Sequence, residues 1–207
     1  MSIKSSRLPG PVPRWVRPVH TYSSMLMLAI MLFFTLTGLT LNNRQWLPVP
    51  TPEKSLALTL PEPLATTALW QQDSLLASGQ VWQWLQQEQQ LAGGEVRFDW
   101  SADEALLLID IKRPGGYSLV EVSLEDETVL IEEQHYGWMA ALNDLHMGRN
   151  SGAGWSWFID ASAVVMLLFT LTGFWLVLPM RRRRGRMLSL TGLGAVLMAG
   201  IYVWMVF

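Results

Sequence analysis

Three histidines, His20, His135 and His146, and one carboxylate inside an apolar run, Asp160, are the side chains of this 207-residue chain best placed for chemistry. An imidazole can donate a proton, accept one, or ligate a metal through either ring nitrogen. A histidine beside an apolar segment can equally do no more than mark its boundary. There is no cysteine, which excludes disulfide, thiolate and iron–sulfur chemistry. A carboxylate within a span is costly. Asp160 is therefore read as lying one turn into its span, close to water and a helix amino end, where negative charge is favoured and its role is capping or interface anchoring; proton handling or pairing with Arg149 is the alternative.

Other chemistry is missing. The chain has no Gly-x-Gly-x-x-Gly or Walker loop, no His-Glu-x-x-His, and no nucleophile elbow around Ser151. Ser151-Gly-Ala-Gly154 is similar to a flavin-attachment signature, but Gly154 stands where the acceptor hydroxyl is needed, so it is rejected as an acceptor. The basic run Arg181 to Arg186 is topological, with contact to anionic lipid and no link to nucleic acid.

The segments that must position these groups are apolar. Hydrophobic residues make up 50% of the chain and charged ones 15%, against about 25% charged in soluble domains. Residues 20–42 and 155–179 read as transmembrane helices 1 and 2, and 188–207 as helix 3, each about 20 residues or longer and so able to cross the hydrocarbon. Residues 1–19 read as a basic cytoplasmic tail and 180–187 as a basic cytoplasmic loop. The basic flanks put the amino terminus in the cytoplasm and, with three spans, the carboxyl terminus in the periplasm. Residues 43–154 form a polar domain with 16 acidic and 6 basic residues. Within it Pro48 to Pro63 reads as a connector and Ala65 to Leu91 as helix in two pieces split near Gly79. Period-two alternation follows at Val96, Phe98 and Trp100, at Leu107, Ile109 and Ile111, at Val120, Val122 and Leu124, and at Val129 and Ile131. With breaks at Pro114-Gly115-Gly116 and Glu125-Asp126-Glu127, this predicts about four antiparallel strands and a small α+β domain.

One pattern repeats inside the spans. Phe34-Thr-Leu-Thr-Gly38 recurs as Phe169-Thr-Leu-Thr-Gly173, and Leu-Thr-Gly appears again at Leu190-Thr191-Gly192. A glycine in a span lets another helix or a flat ligand approach the backbone. Helix packing is the plain reading and a cofactor groove the sharper one. His20 and Gly38 lie 18 residues apart, about 27 Å along a regular helix, so they cannot serve one site. In an antiparallel pair of spans, His20 instead meets Thr172 and Gly173, and His146 meets Thr37 and Gly38.

The His-containing segments before two spans, the repeated Leu-Thr-Gly, and Val120-Glu-Val-Ser-Leu-Glu-Asp-Glu-Thr-Val-Leu130 together resemble the PepSY-associated transmembrane-helix family, in particular its small three-span PepSY-TM-like members. The resemblance implies a three-span α-helical transmembrane bundle with a small periplasmic α+β PepSY-like domain, in the inner membrane of a Gram-negative cell. Larger relatives include inner-membrane reductases that use haem b, and small ones accompany flavin-transferase systems. Haem b is accordingly the expected cofactor, with His146 and His20 as candidate iron ligands, His135 as a third, and Gly38 and Gly173 as the notches it would lie against. Three imidazoles are one short of two bis-histidine haems. A single haem on His135 and His146, ligands shared across a homodimer, and a single-histidine haem all remain open. The expected partners are the lipid bilayer and periplasmic or membrane redox proteins. Without a visible donor site the chain is not a complete enzyme on its own. The competing expectation is a non-redox scaffold whose outer domain docks a partner.

Overall fold

The computed structural model describes residues 12–91, 94–180 and 182–207. The amino-terminal tail up to residue 11 and Arg181 of the basic loop lie outside the described residues. Contacts divide the chain into two compact units: Met1–Leu32 with Asp160–Phe207, and Phe33–Ile159.

Three helices are long and apolar enough to cross a membrane: α1 (Val16–Asn42), α6 (Gly152–Val177) and α7 (Arg184–Val206). At 1.5 Å per residue the shortest, α7 with 23 residues, is about 35 Å long, more than the hydrocarbon thickness. Helix α6 starts three residues before the expected span at 155, because Gly152 to Gly154 are already helical. That earlier start carries Asp160 beyond the first turn, where it is exposed, so the capping role assigned to it fails. Arg149 pairs instead with Asp144, at 4.0 Å.

In the unit Phe33–Ile159, five antiparallel strands stand in the order β1-β5-β4-β3-β2. They are β1 (Lys54–Thr59), β2 (Glu95–Ser101), β3 (Leu106–Arg113), β4 (Gly116–Ser123) and β5 (Thr128–His135). The last four fall where alternation predicts them. The first corrects the reading of Pro48 to Pro63 as a plain connector. The prolines flank Lys54–Thr59 without entering it, so its amides remain free to pair with β5, from Lys54 opposite Glu133 to Thr59 opposite Thr128. Pro114 and Gly115 join β3 to β4. Gly115 has φ +77°, and a Cβ there would stand 2.8 Å from that of Ala141, so only glycine makes the turn.

Helices α2 (Glu62–Ala65), α3 (Thr67–Gln72) and α4 (Ser74–Gln89) cover one face of the sheet. The helical stretch breaks at Thr66 and Asp73, not near Gly79, which lies inside α4 with open space around it. Asp73 caps α4 by accepting hydrogen bonds from the amides of Leu75 and Leu76. Ala77, Val81 and Leu85, four residues apart, make the buried stripe of α4. They pack on Leu107, Ile109, Ile111, Val120, Val122, Val129 and Ile131, while Trp70 stacks on Trp100 and donates to the Leu64 carbonyl.

A short helix, α5 (Trp138–Met147), follows the sheet. Asp144 fastens it to the β3–β4 turn by accepting from the Gly115 amide at 2.9 Å. This helix positions His146.

Candidate histidine sites

Each of the two phenylalanine-to-glycine repeats receives one histidine. In the unit Phe33–Ile159, His146 Nδ1 lies 2.7 Å from Thr37 Oγ1. The Phe34 ring meets the imidazole edge-on with centroids 5.0 Å apart, and His146 Cε1 is 3.5 Å from where a Gly38 Cβ would be. In the other unit, His20 Nδ1 lies 3.2 Å from both Thr172 Oγ1 and the Phe169 carbonyl. The Phe169 ring stacks on the imidazole at 4.8 Å and 11°, and His20 Cε1 is 3.0 Å from the position of a Gly173 Cβ. Phenylalanine, the second threonine and glycine thus grip the imidazole in both places. The two phenylalanines carry no weight in a sequence reading that looks for ligands, although they are part of the repeat itself.

The bonding around each ring points to one tautomer. The Thr37 hydroxyl lies 2.7 Å from the Phe33 carbonyl and the Thr172 hydroxyl 2.6 Å from the Leu168 carbonyl. A hydroxyl whose proton goes to that carbonyl accepts from the histidine. At His20 the Phe169 carbonyl can only accept, so Nδ1 carries hydrogen there. With the Thr37 proton on the Phe33 carbonyl, His146 Nδ1 carries hydrogen as well, and in the neutral ring Nε2 keeps its lone pair. An imidazole fixed at Nδ1 in this way is the form that ligates a metal through Nε2. A haem, were one bound, would be held through Nε2 of these histidines, which is the donor chemistry that iron takes. The imidazole edge lies against each glycine, as the antiparallel pairing of the spans leads one to expect.

On the face of α1 that carries His20, Val16, Ser23 and Met27 are buried, and Ser23 donates to the His20 carbonyl. The third Leu-Thr-Gly receives no histidine: nothing lies within 4 Å of a Cβ built on Gly192, and α7 has no buried residue. Leu188 stands there where the other repeats have phenylalanine.

His135 belongs to a different cluster. It ends β5, and its Nε2 lies 3.2 Å from both Glu133 and Arg113, which also pair with each other. Burial raises the Glu133 carboxyl, but the hydrogen bond and charge of Arg113, with His135 and Lys54, outweigh it and hold that group below its ordinary value. Among the described residues no group of three or more His, Cys, Asp or Glu is arranged to hold a metal ion.

No curated protein and no solved structure matches the chain. One family model does, over residues 12–207, nearly the whole length. That model covers well over half of the chain, and the chain, with its membrane-length helices and sheet domain, belongs to the PepSY_TM-like family.

Proposed function

We propose that this chain is an inner-membrane component of a transmembrane redox system that passes electrons toward a periplasmic acceptor, with His20 and His146 offering Nε2 to haem b. The observation that carries the reading is the paired contact of each Nδ1 with a threonine hydroxyl; with hydrogen on Nδ1, the opposite nitrogen of each ring is a lone pair. Haem b, when bound, supplies one-electron chemistry at its iron. The chain's own residues orient the imidazoles: threonine sets the tautomer, phenylalanine sets the plane, and glycine makes room for the ring edge. His135, engaged by Glu133 and Arg113, is the weakest of the three as a ligand. Any further ligand would come from a partner protein or a second copy. The basic run Arg181 to Arg186 supports a cytoplasmic loop there and a periplasmic sheet domain.

A second reading has its own observation. Imidazoles filling glycine notches are also a way to lock helices together, and the sheet domain carries an excess of acid that suits a cationic partner. In that case the chain is a membrane-anchored scaffold. Absorption spectra of the full chain purified from haem-replete cells separate the two. A Soret band that sharpens and shifts on dithionite reduction supports the redox reading, and a folded, colourless protein supports the scaffold.

A further inference from the structure

The sheet ends on β2, and the outer edge of that strand is open. Beyond the ladder to β3, no hydrogen bond among the described residues reaches the backbone of Glu95–Ser101. An unpaired edge is a template for another strand, and folded proteins guard it with proline or with charge. The opposite edge strand, β1, carries Lys54 and lies between Pro52 and Pro61. Strand β2 has no proline, and its charges are of both signs.

Those charges have an order. Successive side chains of a strand point to opposite faces. Val96, Phe98 and Trp100 therefore share the face that the helices cover, and Glu95, Arg97, Asp99 and Ser101 share the other. Val96 and Trp100 pack against the core, but Phe98 stands outside it and is 37% exposed. Arg97 reaches Glu95 along its own strand at 2.6 Å, yet both side chains stay about half exposed or more. Asp99 is exposed beside them. Now consider a second β2 laid antiparallel along this edge, with Phe98 opposite Phe98. Arg97 faces Asp99 twice, Val96 faces Trp100 twice, and Glu95 faces Ser101. Directly opposed residues are the ones that interact across strands, and opposite charges there are favourable. A slip of two residues one way sets Arg97 on Arg97 and Glu95 on Asp99; the other way it sets Asp99 on Asp99. A slip of one puts the covered face of one copy beside the open face of the other. The charges admit a single register.

We propose that β2 is the interface of a homodimer, in which two copies pair antiparallel about Phe98 and join their five-stranded sheets into one. The contact is isologous: the same patch serves both sides, and the assembly closes at two copies. Each exposed Phe98 ring gains the other at the centre, where an aromatic pair adds to the apolar area buried. Any extended peptide could meet the open amides, but only a second copy matches the order of charges. The interface does not depend on whether haem is held.

The chain has no cysteine, so an introduced one reports only its own position. The test is oxidative cross-linking of the purified full chain in detergent, where directly opposed cysteines come within disulfide reach. Phe98→Cys should cross-link to itself. Arg97→Cys and Asp99→Cys should cross-link more when mixed than either does alone. Leu56→Cys, exposed on the opposite edge, should stay single. Equal cross-linking at all these positions would mean random collision and overturn the proposal, as would a Phe98→Cys chain that stays single. Sedimentation equilibrium of the chain without cysteine tests the charges. Arg97→Glu, at an exposed position, sets like charges opposite each other twice and should weaken the dimer about tenfold. Arg97→Asp combined with Asp99→Arg should restore it. A parent that is monomeric at every concentration would overturn the proposal and leave the edge to a strand of another protein. Dimerisation of Arg97→Glu equal to that of the parent would overturn it too.

Discussion

Thr37 Oγ1 stands 2.7 Å from His146 Nδ1 and 2.7 Å from the Phe33 carbonyl. With its proton on that carbonyl the threonine accepts from the histidine, and the imidazole carries its hydrogen on Nδ1. Thr172 stands in the same relation to His20, where the Phe169 carbonyl is a further acceptor. A five-residue pattern repeated on two helices is thus a receptor for an imidazole, built twice.

Removing the acceptor tests that description. Thr37→Val keeps the shape and strands the Nδ1–H of His146, which should cost about 1–3 kcal/mol for an unmet buried donor. Thermal unfolding of the detergent-solubilised chain reads the loss, and ¹⁵N imidazole spectra should show His146 losing its fixed Nδ1–H form while His20 keeps it. An unchanged His146 spectrum would count against the threonine.

The two glycines should not respond alike. An added Cβ at Gly38 meets His146 at 3.5 Å, an ordinary contact, whereas at Gly173 it meets His20 at 3.0 Å, which forces the ring to shift. Gly173→Ala is therefore expected to destabilise more than Gly38→Ala, with melting temperature as the readout. The reverse order would contradict the packing described.

Acid should act on the sheet domain through Glu133. Its folded-state carboxyl lies below the ordinary value, so its contribution to stability is present above the unfolded value and lost as pH falls through the lowered one. Glu133→Gln removes that contribution. Its stability deficit against the parent should be full near neutral pH and shrink on acidification below the ordinary carboxylate range, as measured by denaturant unfolding across pH.

Core truncation gives a scale. Ile109→Ala, at a fully buried position under α4, should cost about 2–5 kcal/mol, enough to unfold a marginal domain. Denaturant midpoint reports it, and a shift no larger than that of a surface variant would place Ile109 outside the core.

Much of this was legible beforehand because periodicity records burial. The alternation through Val96, Leu107, Val120 and Val129 marked four strands, and three long apolar runs marked the membrane-length helices. Strand β1 was hidden because its few apolar residues, Leu56, Ala57 and Leu58, lie at an edge among prolines. Helix α5 was missed although Gly137 and Gly148 bracket Trp138, Leu142 and Leu145 at helical spacing. The contact of each histidine with the opposite threonine and glycine could be read from antiparallel spans. The packing of Phe34 and Phe169 on the imidazoles could not, since spacing gives depth along a helix and not the direction of a ring.

The most direct measurement of the central claim is haem content across three variants of the purified full chain, normalised to folded protein. Presentation of Nε2 by His146 and His20 predicts that His146→Ala and His20→Ala each lose a large share of the Soret absorbance. His135→Ala should keep nearly all of it. Equal retention in all three, or greatest loss in His135→Ala, would contradict the account.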